Sequence, residues 1–304
     1  MTKRFFYLFF PLLGTLLAGL LLPAYGQDQT VQVVTKTIDK SFGFNEGYEL
    51  NIEGERAEVY IEASDQVGIT VQLELTARHP DEAVARRDLE YMQYMVRRVK
   101  NKIYLRNYLK QPDGAPSPES QIRAVYRIQV PPNCPVYTKN TYGIVEASQL
   151  TNSLRVNSQF SRIGLSNVAG VIDLQTRFGD IIGERLDGQV NIASRRSDIT
   201  LREMRGSYDI NAQYGVLNFY ASEGLLDLQL TADKSEVFLH NVDLQAFSYE
   251  LSAKNGNIYY PDELNFNLKE PEIGLKQVSF RPSSEYYPNI SVSITFGDIH
   301  VSKN

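Results

Sequence analysis

Aligned on the small residue that follows an aromatic or basic one, residues 142–231 fall into five consecutive 18-residue segments with no insertion. They read YGIVEASQLTNSLRVNSQ, FSRIGLSNVAGVIDLQTR, FGDIIGERLDGQVNIASR, RSDITLREMRGSYDINAQ and YGVLNFYASEGLLDLQLT. A unit of this length cannot bury its own apolar face and must stack on copies of itself. The same columns stay apolar: Val145, Ile163, Ile181, Ile199 and Leu217; then Leu154, Ile172, Val190, Tyr208 and Leu226; then Val156, Leu174, Ile192, Ile210 and Leu228. Within a segment apolar residues alternate with polar ones, as in Val190-Asn191-Ile192, which is the period of a strand. The expected fold is therefore all-β, a parallel β-solenoid with rungs of about 18–21 residues. Looser spacing continues the series at Lys234-Ser235 and Asn255-Gly256 and ends it at Phe296-Gly297-Asp298-Ile299, so the FGDI of 178–181 and 296–299 is the signature of a rung. Gly143, Gly179 and Gly215, and again Gly170, Gly188, Gly206 and Gly224, are expected at corners that need positive φ or close backbone approach.

Two related geometries fail on pattern. A hexapeptide left-handed helix needs an aliphatic at every sixth residue, whereas here the inward positions are 4, 13 and 15 of each segment. A calcium-binding β-roll needs Asp two places before the inward aliphatic, where most turns of this chain carry Gly or Ser. No metal or cofactor is expected.

The chain opens with Lys3 and Arg4, an apolar run from Phe5 to Leu22, and Ala24-Tyr25-Gly26. That is the layout of a secretory signal peptide, expected to span 1–26 and to be cleaved after Gly26. Pro11 and Gly14 weaken the competing reading as a retained membrane anchor. The expected location is a periplasm or a cell surface, with membrane contact only through the cleaved segment. Removing it leaves 29 Lys and Arg against 36 Asp and Glu, so the formal charge moves from -5 to -7. An acidic surface disfavours nucleic acid. Cys134 has no second cysteine to pair with and is expected to be a buried small apolar residue; no cysteine near residue 26 is placed to carry a lipid.

Residues 27–135 form an irregular N-terminal β-rich portion ahead of the repeat portion, 136–304. YELNIEGERAEVYIEASDQVGITVQLELTA (48–77) alternates over three strands, and further strands are expected at 102–109 and 122–130 around the loop-like KQPDGAPSPESQ. One helix is expected over 80–99, with Pro80 in its first turn, Asp81 and Glu82 at its positive end, and Ala85, Leu89, Met92, Val96 and Val99 along one stripe. A strand start, a helical interruption, a strand ending in Val130-Pro131-Pro132 and then aromatic-Gly-x-aliphatic rungs resemble the bacterial adhesin-type domains with β-strand repeats. These are relatives of the head-domain auto-transporter adhesins. The resemblance covers roughly residues 40–302, and it implies an exported, non-enzymatic solenoid of the cell envelope with no functional residues to transfer.

The sharpest polar feature is a column of Asp173, Asn191, Asp209 and Asp227, accompanied two places along by Gln175, Asn211 and Gln229. Such a strip suits a glycan or a calcium ion, but a solvated sheet face with amide ladders is the favoured reading; the partners expected for the chain as a whole are a glycan or an envelope protein. The alternative is a polysaccharide-acting β-helix enzyme, a lyase or glycosidase, using Asp180 and Asp198 with Arg177, Arg195 and Arg196 nearby. Against it, an Asp that recurs once per turn is explained by the repeat first, and His79, His240 and His300 lack metal-ligand spacing. The expectation is a non-catalytic adhesin-like module, binding or structural; a binder should gather exposed aromatics on one face.

Overall fold

The computed structural model describes residues 30–303 apart from 242, 263 and 284–286. The expected leader, 1–26, lies outside the described residues. Val31–Asn304 is one compact unit. Its described residues are all-β, with one α-helix and one 3-10 turn, and none of its helices is long and apolar enough to cross a membrane.

The strand Ala169–Arg177 shows how sequence becomes structure. Ile172, Leu174 and Thr176 point into the core while Asp173 and Gln175 point out, the alternation that a pleated strand imposes. Its neighbours on both sides are the matching strands of the segments before and after, in parallel register: Ile172 pairs with Leu154 and with Val190, which pairs with Tyr208. A second parallel ladder runs through Val145, Ile163, Ile181 and Ile199, again one segment apart at each step. The chain alternates between the ladders, and their inward residues form one core from Leu50 to Val301.

The corner between the ladders explains the residue pair that opens each segment. Tyr142, Phe160, Phe178, Arg196 and Tyr214 all have positive φ, between 53° and 62°, and Lys234, Phe296, Asn255 and Arg56 repeat the conformation. Bulky side chains resist this region at about 1–2 kcal/mol each. The small residue that follows is needed for approach instead: a Cβ on Gly179 would lie 2.1 Å from the Ser161 carbonyl oxygen. Within the repeated segments, positive φ falls on glycine at the other corner, at Gly170, Gly188 and Gly206.

Two expectations about register need correction. The expected column ending in Leu226 breaks, because the register slips by two residues between the Arg202–Tyr220 and Ser207–Asp227 pairs, with Ala221 and Leu225 still paired: Tyr208 then pairs with Leu228 and Ile210 with Leu230, leaving Leu226 67 % exposed. The Phe296 rung also does not end the stack. Strand Asn289–Thr295 lies between Asp227–Asp233 and Ser248–Lys254, parallel to both. Strand Ile299–Lys303 likewise lies between Glu236–Asn241 and Ile258–Tyr259. The other end mirrors this, with Glu49–Glu55 between Lys102–Leu109 and Val136–Ser148.

Antiparallel strands cover both ends. Ile69–His79 and Gln32–Phe42 follow Gln121–Val130 on the second ladder, and Leu275–Phe280 and Asn267–Glu272 follow Ser248–Lys254 on the first. The expected helix over 80–99 is shorter: it spans Glu82–Glu90, N-capped by the Asp81 side chain accepting from the Ala83 N–H. Met92–Val99 is a strand, paired antiparallel with Lys102–Leu109. Spacing alone fitted a helix there, but these residues complete the open edge of the first ladder, and edge pairing overrides the helical stripe.

Candidate functional site

The outward face of the first ladder carries the expected polar strip, and the structure rearranges it. Asp173, Asn191 and Asp209 do stand in one column. Asn191 Nδ2 donates to Asp173 Oδ1 at 2.8 Å, and Arg155 reaches the same carboxylate at 3.4 Å from the rung before. Asp227 leaves the column, because the register slip puts Gln229 beside Asp209 and Asp227 beside Ser207. Gln229 Nε2 then donates to Asp227 Oδ2 at 3.2 Å, and Asn289 Nδ2 to its other oxygen at 3.4 Å. Strands about 4.8 Å apart would make stacked carboxylates repel; in this arrangement each strip aspartate adjoins an amide instead. Gln175 lies between Asn157 and Ala193, and Asn211 between Ala193 and Thr231.

Beside the second column lies an open depression of about 490 Å³, lined by Asn157, Gln175, Asn211 and Gln213 with Arg177 and Arg195. The two arginines are register partners. Among the described residues neither has an ion-pair partner, so two like charges sit on adjacent strands with their donors free. Sequence reasoning noticed these arginines only beside Asp180 and Asp198.

Those aspartates have another task. Asp180 Oδ1 accepts the Asp198 N–H at 3.2 Å, Asp198 Oδ1 accepts the Val216 N–H at 2.8 Å, and Asp298 Oδ1 accepts the Asn257 N–H at 2.7 Å. Each carboxylate ties its corner to the next rung, which is why FGDI recurs.

Exposed aromatics stack in one column at the corners, and mostly half-buried rings form a second group. Tyr142, Phe160 and Phe178 stack with centroids 4.8 Å apart and planes within 6°, and Arg196 continues the column between Phe178 and Tyr214. On the second ladder Phe238, His300 and Tyr259 stack at 4.7 and 4.8 Å, and Tyr220 stacks on His240 at 4.5 Å. Two of the histidines that look isolated in sequence thus share one face. Burial, then the Arg202 charge, lowers the His240 pKa. Rings stacked along a ladder cover each other's faces and show solvent their edges, so these stacks offer no row of platforms for sugar rings.

Cys134 is fully buried, and that burial pushes its thiol pKa up to about 12. Among the described residues no three His, Cys, Asp or Glu side chains gather as metal ligands.

No protein-family model matches the sequence, and no curated protein matches it. Solved structures similar to it include three from bacteria. A candidate adhesin from Bacteroides fragilis is 10 % identical over 88 % of this chain and 97 % of its own, with a TM-score of 0.34. A candidate lipid-binding protein from Parabacteroides distasonis is 11 % identical over 88 % and 96 %, with a TM-score of 0.40. A candidate cell adhesion protein from Clostridium sporogenes is 11 % identical over 89 % and 100 %, with a TM-score of 0.25. At these scores the likenesses establish neither a shared fold nor a shared function.

Proposed function

We propose that this chain is an exported, non-catalytic β-solenoid of the bacterial cell envelope, adhesin-like, that binds an extended polar polymer along the outward face of its first ladder. The parallel pairing of successive segments supports the solenoid reading. The observation that carries the binding reading is the depression at Gln175, Asn211, Arg177 and Arg195, where amide and guanidinium donors line an open face on consecutive rungs. A ligand with a regular repeat could engage several rungs at once, and each further contact adds to avidity without tightening any one of them. Glycans and envelope proteins both fit this chemistry. The polysaccharide-cleaving alternative has less support, because Asp180 and Asp198 are bound to backbone N–H groups and are placed by the repeat.

The test is a screen of the chain from Gln27 onward against glycans and envelope fractions, comparing the native protein with Arg177→Ala/Arg195→Ala. A ligand retained by the native face and lost in the double variant supports the reading. A ligand that binds both equally places its site elsewhere. Mass spectrometry of the protein from its native envelope tests export: a retained Met1–Gly26 segment would remove that part of the proposal.

A further inference from the structure

A different region concentrates positive charge in a chain whose formal charge is -5. At the N-terminal end of the corner column lies a cavity of about 300 Å³, lined by Arg56, Arg78 and Arg123 with Glu58, Gln121 and Tyr142. Three strands bring the arginines together. Arg56 occupies the corner between Glu49–Glu55 and Ala57–Ala63, Arg123 belongs to the strand that pairs with Ala57–Ala63, and Arg78 lies on the next strand, opposite Gln121.

The single carboxylate in the cavity is already engaged. Glu58 Oε1 accepts from Arg123 at 2.9 Å and its Oε2 from the Tyr60 hydroxyl at 3.1 Å. Arg56 and Arg78 have no ion-pair partner among the described residues, so the cavity carries two uncompensated guanidinium groups. Tyr142 ends the ring stack. Phe160 covers one of its faces, and the next position of the column is Arg56, so among the described residues no ring covers the other. Tyr142 is 54 % exposed and lines the cavity.

We infer that this cavity binds a single anionic sugar residue, carboxylated or sulfated, with the ring laid on the free face of Tyr142 and the anionic group held by Arg56 and Arg78. The volume is at the small end for ligand sites, which favours one ring over a longer segment. Guanidinium groups hold planar carboxylates and sulfates with paired donors, and a tyrosine face provides an amphipathic platform for the ring. The site lies apart from the amide face of the first ladder and is tested by different variants, so either can fail alone.

The experiment is an NMR titration of the whole chain with glucuronate, glucose 6-sulfate, glucose and acetate. Saturable binding of glucuronate or glucose 6-sulfate is expected, and the stronger of the two identifies the anionic group. Glucose and acetate should each bind at least about tenfold more weakly, a difference of ~1.4 kcal/mol. Arg78→Gln and Tyr142→Asn should each weaken the anionic sugar by about tenfold or more; asparagine tolerates the positive φ at 142, and unchanged thermal unfolding would show the variants folded. Rising salt should weaken binding. The inference is overturned if neither anionic sugar binds, if acetate or glucose matches them, or if folded Arg78→Gln binds like the native chain.

Discussion

The placement of the C-terminal rung inside the stack can be tested with one buried residue. Val292 is 1 % exposed and lies between Leu230 on one side and Leu251 on the other. Val292→Asp loses about 2 kcal/mol of apolar burial and buries a carboxylate with no partner, at about 3 kcal/mol more. The expected destabilisation is therefore about 5 kcal/mol. Its distribution matters more than its size. If rungs stacked in sequence order, a lesion at 292 would fray only the terminal strands. Intercalation instead makes 289–303 the sole parallel neighbour of 248–259 among the described residues, so the lesion should release 248–280 as a block. Native-state hydrogen exchange reads this directly: amides of Ser248–Lys254 should lose protection together with those of Asn289–Thr295, while Ile172–Arg177 keeps its own. Ser293→Ala, one residue away and exposed, should stay within about 0.5 kcal/mol of the native protein. If Val292→Asp is strongly destabilising but Ser248–Lys254 stays protected, the intercalated rung order is wrong.

Three further outcomes are expected. Tyr126 is fully buried and its hydroxyl has no hydrogen-bond partner among the described residues, so Tyr126→Phe should be neutral or stabilising; Tyr208→Phe, which removes a 2.8 Å bond to the Leu186 carbonyl, should cost about 1 kcal/mol in denaturant titrations. Asp88 is buried, which on its own would raise its pKa, yet bonds from the Ser120 and Glu119 N–H groups and from Arg87 lower it from 3.8; its contribution is present above that value and lost on acidification, and Asp88→Ala should cost about 3 kcal/mol at neutral pH and much less in acid. His240 has its pKa lowered from 6.5 by burial and Arg202, so below about pH 6.5 the unfolded chain takes up its proton first and stability should fall; His240→Gln should flatten that slope in urea midpoints measured from about pH 8 to pH 5.

How much could be read from the sequence depended on whether a feature is local. The columns through Ile172, Val190 and Tyr208 were legible because an inward position recurs once per segment with the same apolar requirement. The break after Tyr208 was only half legible: Lys234-Ser235 comes 20 residues after Tyr214-Gly215, two more than the repeat, but spacing does not say where in the segment the extra residues sit, and Leu226 looks as apolar as its predecessors. Only the ladder shows that Leu228 takes its place. The same slip moved Asp227 out of the polar column and Gln229 into it. The helix failed differently: Met92, Val96 and Val99 satisfy a helical stripe, and what makes them a strand is the open edge at Lys102–Leu109, a partner that no local pattern announces.

Rung order is the least legible property of all, for a physical reason. Every rung presents nearly the same inward columns, so a rung fits equally well at several heights and its own sequence does not say which. The choice is made by connections and ends. At the C-terminal end, residues 241–248 step past one level to reach Ser248–Lys254, and the antiparallel strands 267–280 cover that rung, so the one level left open is the one that Asn289–Lys303 fills. At the N-terminal end Glu49–Ala63 is enclosed in the same way by Lys102–Val130 and Val136–Ser148. Both terminal rungs are thus held on two sides by strands distant in sequence. Closing them costs loop entropy that grows only slowly with loop length, and it gives each end two ladders of partners where sequential stacking would leave one. The expected consequence is a stack whose ends do not fray first, and whose last rung in sequence becomes protected only after 248–280 is in place; pulsed hydrogen exchange during refolding would show the reverse order if the rungs simply added one after another.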